Sequence, residues 1–63
     1  MRIYLDGEHF ETAKRIRDLE AAAVAIAKEE AADGNPHVSE SEIIDLIETH
    51  GEFTGVSGDW TVR

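Results

Sequence analysis

The chain has 63 residues, no cysteine and a formal net charge of −8, from 14 acidic against 6 basic side chains. A chain this short buries only about 60% of the surface it exposes when unfolded, so it is one domain spanning 1–63, lacks the walls of a deep catalytic cleft, and is not expected to be an enzyme. Without Cys for disulfides or the usual structural zinc frameworks, it must be held by packing, and its acidity opposes direct binding to nucleic acid.

Met1 to Asp6 alternates, with Met1, Ile3 and Leu5 on one face and Arg2, Tyr4 and Asp6 on the other, which is the period of a half-buried strand. Asp6-Gly7 breaks it. That pair suits either a tight hairpin turn into a short strand from Glu8 to Glu11 or the approach to a helix, and the sequence leaves both open.

From Glu11 to Ala32 the residues are strong helix formers, and Ala13, Ile16, Leu19, Ala23, Ile26 and Ala27 recur at spacings of three and four. A first helix is predicted there. On its outer face Glu11 is placed to pair with Lys14 and Arg15, and Lys14 with Asp18. Asp33-Gly34-Asn35-Pro36 ends this helix, since Gly suits a left-handed cap and Pro cannot continue the ladder. The alanines Ala21, Ala22 and Ala25 lie partly outside the stripe and are read as helix propensity on a surface rather than as a dimer seam, so the chain is expected to be a monomer.

A second helix has a fuller start signal: Ser39 with Glu42 three residues on fits a capping box, and Val38 with Ile43 a hydrophobic staple. Ile43, Ile44, Leu46 and Ile47 are expected inside, with Glu42, Asp45 and Glu48 opposite them and Gly51 as the stop. The tail from Glu52 to Arg63 reads as a hairpin turning at Val56-Ser57-Gly58-Asp59. The predicted fold class is α+β, in the order β-α-α-β-β, with a three-stranded antiparallel sheet packed against two helices.

His9, His37 and His50 lie far apart in sequence, without the paired spacing of a metal-binding helix, so no metal and no cofactor are expected. No Gly-flanked Ser elbow accompanies them, and Gly55-Val56-Ser57-Gly58 precedes no helix and has no Lys to meet a phosphate. No catalytic residue is assigned.

Charge is the informative feature. Residues 1–28 hold five acids and five bases, which cancel; from Glu29 onward nine acids, Glu29, Glu30, Asp33, Glu40, Glu42, Asp45, Glu48, Glu52 and Asp59, face the single base Arg63. On the second helix Glu42, Asp45 and Glu48 repel one another by roughly 0.2 to 0.5 kcal/mol per neighbouring pair, where an inert surface would interleave cations. The plain reading is a solubilising face. The functional reading is that the nine acids form a partner-binding surface imitating a row of phosphates, which a Lys and Arg groove built for nucleic acid would accept.

In size, acidity and expected strand, helix, helix, hairpin order, the chain resembles the small phage-encoded anti-CRISPR proteins that block Cascade-type surveillance complexes. That resemblance implies an inhibitor that mimics nucleic acid and occupies the DNA-binding or PAM-recognition site of a type I CRISPR complex, with Glu29 to Asp59 in the basic channel. An antitoxin or adaptor that neutralises a basic protein partner is the alternative. The longest weakly polar run, Ala21 to Ala27, is far short of a membrane span, and no secretory signal is recognisable. A cytoplasmic setting is expected, that of the bacterial host if the chain is phage-encoded.

Overall fold

The computed structural model describes all residues 1–63. Its elements run β1 (Ile3–Leu5), β2 (Glu8–Phe10), α1 (Leu19–Ala32), α2 (Glu40–His50), β3 (Phe53–Thr54) and β4 (Asp59–Val62). The class is α+β with two helices and an antiparallel sheet, but the sheet has four strands in the order β2-β1-β4-β3 rather than three. The element order is therefore β-β-α-α-β-β.

The extra strand comes from the first turn. Asp6 and Gly7 both take positive φ, at 52° and 84°, the conformation of a two-residue turn whose twist matches its flanking strands. Leu5 is thereby set against Glu8 and Ile3 against Phe10. On the other side of β1, Ile3 pairs with Val62 and Leu5 with Trp60. Both termini are thus held in the middle of one sheet, and Phe53 extends the same face by pairing with Trp60.

The second departure lies between the strands and α1. A helix over 11–32 would be roughly 33 Å long at 1.5 Å per residue, longer than the 26 Å greatest extent of the molecule. The chain instead crosses from β2 as an irregular segment over 11–17, and α1 begins at Leu19. Asp18 is its N-cap, its carboxylate accepting the Ala21 N–H at 2.9 Å, so Asp18 is not the helical partner of Lys14. The expected Glu11, Lys14, Arg15 and Asp18 pairings fall with the helix, and Ala13 is exposed rather than part of a buried stripe. Ile16 is buried, with its carbonyl accepting from the N-terminal amine at 3.1 Å. The crossing segment thus follows its one large apolar side chain, not its helix propensity.

At the far end of α1, Asn35 N–H donates to the Glu30 carbonyl and Gly34 N–H to that of Ala31. Gly34 takes φ 105°, completing the left-handed cap expected of Asp33-Gly34-Asn35-Pro36. Helix α2 starts at its expected cap, with Ser39 Oγ accepting the Glu42 N–H at 3.1 Å, and closes on Gly51. The core is small: Ile3, Ile16, Ala22, Ala23, Ile26, Ile43, Phe53 and Trp60 are its buried apolar residues. Phe10 meets Trp60 edge to face, with ring centroids 5.0 Å apart. No helix is long and apolar enough to cross a membrane.

Candidate functional site

The nine acids of the second half do not share one fate. Glu30 is corrected outright, since its side chain is fully buried and cannot form part of a partner-binding surface in the folded chain. It occupies the position four residues after Ile26 on the inward side of α1 and reaches under the terminal hairpin. There its carboxylate accepts four hydrogen bonds, from Val56 N–H at 2.9 Å, Ser57 N–H at 2.9 Å, the Trp60 indole Nε1–H at 3.0 Å and Asn35 Nδ2 at 3.0 Å. Burial alone pushes this carboxyl upward, but the donors from Asn35, Trp60 and Ser57 outweigh it and hold its pKa at about 2. Glu30 is a structural anion, fixed at the centre of the fold.

Two further acids are exposed or half-buried but occupied. Asp33 accepts the Ser57 hydroxyl at 2.6 Å, which ties the end of α1 to the same turn. Asp59 accepts the Thr54 hydroxyl at 3.1 Å, while its backbone N–H donates to Asp6 Oδ1 at 2.9 Å. Glu52, exposed just before β3, has its carboxyl raised above the ordinary range, chiefly by a hydrogen bond to the Asp59 carboxylate and then by the repulsion of that charge. Glu29 is half-buried on α1 and lines a groove on the side that carries Lys28.

What remains is a coherent group on α2. Glu40, Glu42, Asp45 and Glu48 are all exposed, and no Lys or Arg occurs on this helix. Ile43 is its one fully buried residue, with Ile44, Leu46 and Ile47 half-buried against the core, so the opposite side is free for charge. Steps of three residues place Glu42, Asp45 and Glu48 about 5 to 6 Å apart in succession. Glu40 and Glu42 lie in the first turn, where the positive end of the helix dipole offsets part of their mutual repulsion.

The cations gather elsewhere. Lys14, Arg15, Arg17 and Lys28 line one groove between the 11–17 segment and α1. Arg2 and Arg63 lie side by side, exchanging backbone hydrogen bonds at the open end of β1 and β4, and the Arg63 guanidinium sits 5.3 Å from the centre of the Tyr4 ring. The balance of charge in the first half is therefore not local neutralisation along a helix. Four cations outnumber Glu11 and Glu29 in that groove, a local excess which the linear sequence did not reveal.

No group of three His, Asp or Glu is arranged to hold a metal ion. Against protein-family models, curated proteins and solved structures, nothing matches this chain.

Proposed function

We propose that the chain is an acidic inhibitor that imitates nucleic acid, using the outer face of α2 to occupy a basic site on a protein that handles DNA or RNA. The observation that carries this reading is the row Glu42, Asp45 and Glu48 at steps of three, exposed together with Glu40 on a helix that has no Lys or Arg. The helix fixes the spacing of the Cβ atoms that carry these carboxylates, so a groove of Lys and Arg meets them without first ordering the backbone. Asp33 and Asp59 are engaged with Ser57 and Thr54 of the terminal hairpin, and Glu30 contributes to the fold only.

The target favoured by the resemblance to small acidic anti-CRISPR proteins is the DNA-binding or PAM-recognition site of a type I CRISPR surveillance complex. That resemblance rests on size and acidity, because the element order is β-β-α-α-β-β. The test is a gel-shift titration in which the purified chain competes with a duplex target for a type I complex. Loss of the shifted band at stoichiometric protein is expected; target binding undiminished at saturation rejects this assignment. The second reading, an antitoxin or adaptor for a basic protein, would use the same acidic face of α2 with apolar contacts beside it, since the groove on α1 carries Lys14, Arg15, Arg17 and Lys28 and would repel a basic partner.

A further inference from the structure

The side of the molecule away from the acidic row carries its own docking feature. Between the 11–17 segment and α1 runs an open groove of about 690 Å³, and no residue of α2 or of the terminal hairpin lines it. Its floor is made by Ala21, Val24 and Ala25 of α1. Val24 is 51% exposed, among the most exposed of the large apolar side chains. Four of the chain's six Lys and Arg side chains, Lys14, Arg15, Arg17 and Lys28, stand around this floor, against Glu11 and Glu29.

We infer that this groove binds an acidic amphipathic helix of a partner protein, with apolar side chains on the alanine floor and carboxylates against the four cations. Three features select that occupant. Alanines at the floor let a second backbone approach to about 8 Å between axes, and Val24 then has a partner surface to be buried against. The stretch from Ala21 to Ala32 offers roughly 18 Å of contact, enough for about three turns. The local excess of positive charge, in a chain whose total is −8, selects an anionic ligand at short range. A nucleic acid fits less well, because the remaining charge of the chain repels it. A second copy also fits less well: its most acidic helix face, Glu42, Asp45 and Glu48, brings no apolar residue to the floor, and two chains of this net charge repel.

The inference is independent of the role proposed for α2, and the test separates them. The full ¹⁵N-labelled chain is titrated with a synthetic helical peptide of about 12 residues, with Leu at helical spacing on one face and Glu on the other, while amide shifts are followed. Saturable shifts confined to 10–17 and 21–32 are expected. Exchanging the peptide's Glu for Lys should weaken binding by about tenfold or more, as should R15E/R17E or, separately, K28E in the protein, each checked for folding by circular dichroism. No saturable shift up to about 1 mM peptide, shifts centred on α2, or equal binding of the Lys peptide would overturn the inference. So would sedimentation equilibrium showing a dimer that Val24→Glu dissolves, because the groove would then belong to a second copy.

Discussion

The indole of Trp60 donates to Glu30 Oε2 at 3.0 Å, joining residues thirty apart in sequence and tying the C-terminal half of α1 to the central strand β4. Both side chains are fully buried, and the same carboxylate holds two backbone N–H groups of the turn, so one side chain organises the terminal hairpin. Truncating it leaves four donors without their acceptor, the buried Trp60 indole among them, a loss of about 3 to 5 kcal/mol by the usual penalty for breaking a buried charged network. Glu30→Ala should therefore leave little folded protein at room temperature. Glu30→Gln keeps the shape but turns an amide N–H₂ toward donors, and about 2 to 3 kcal/mol should be lost. Urea unfolding followed by fluorescence of Trp60, the only tryptophan, measures both.

The same carboxylate sets an acid limit. Its pKa is about 2 in the folded chain against an ordinary 4.5, so the folded state binds the proton less readily than the unfolded one. The stabilisation, on the order of 3 kcal/mol, is complete above about pH 4.5 and is lost as pH falls through 2. Wild type should exceed Glu30→Gln in stability at neutral pH, and the two should converge by about pH 2. A gap that stays constant across this range would show that Glu30 acts through its shape rather than its charge.

Gly55 is fixed by the same arrangement. A Cβ at this position would fall on the Glu30 carboxylate, closer than any contact allows. The φ of Gly55 is not positive, so the cost of Gly55→Ala is purely steric: the carboxylate must leave Val56 and Ser57 or the turn must open. A loss of about 2 kcal/mol or more is expected. In the Glu30→Gln background the loss should be smaller, because the two substitutions break the same contact.

Much of this fold is legible in local signals. The Ser39 cap, Gly51 and the Gly34 cap each act within a few residues, and each is found where the sequence places it, whereas the alternation from Met1 to Asp6 yields a strand only over Ile3–Leu5, with Met1 exposed. The start of α1 is misread because helix propensity over 11–17 is outweighed by the burial of Ile16 and its carbonyl's bond to the N-terminal amine, and because Asp18 is read as an ion-pair partner when it is a cap. Glu30 is misread because net charge treats all carboxylates alike. One signal did exist: Glu30 lies four residues beyond Ile26 and seven beyond Ala23, so it continues the buried stripe where an apolar residue would be expected. Its partners, a Gly-rich turn and a lone Trp, become recognisable only once the hairpin folds under the helix.

Glu52 and Asp59 make an opposite electrostatic case. The Glu52 carboxyl is raised by its hydrogen bond and repulsion with Asp59, so the folded chain holds that proton more tightly than the unfolded chain. This pair favours the folded state below the unfolded pKa and loses that advantage as pH rises through the folded value. Glu52→Gln should consequently raise the melting temperature at neutral pH by a small amount and have no stabilising effect in acid. Scanning calorimetry at the two pH values distinguishes this from a general gain through reduced net charge, which Glu48→Gln would reproduce without the same dependence.

The acidic row on α2 is separable from stability, because Asp45 and Glu48 are exposed and their repulsion opposes the helix. Reversing both to Lys places cations three residues from Glu42 and from each other's former sites, and substitutions at such surface positions ordinarily change stability by less than about 0.5 kcal/mol. Asp45→Lys/Glu48→Lys should thus melt like the wild type. If the row imitates phosphates, the same variant should lose its partner. Wild-type affinity should also fall steeply as salt rises from about 50 to 200 mM, because long-range attraction between exposed charges is screened within that range. An antitoxin-like interface that also buries apolar surface would show a shallower salt dependence with the same sensitivity to the reversal. Full binding by the reversed variant, at any salt, would leave the row as a solubilising surface only.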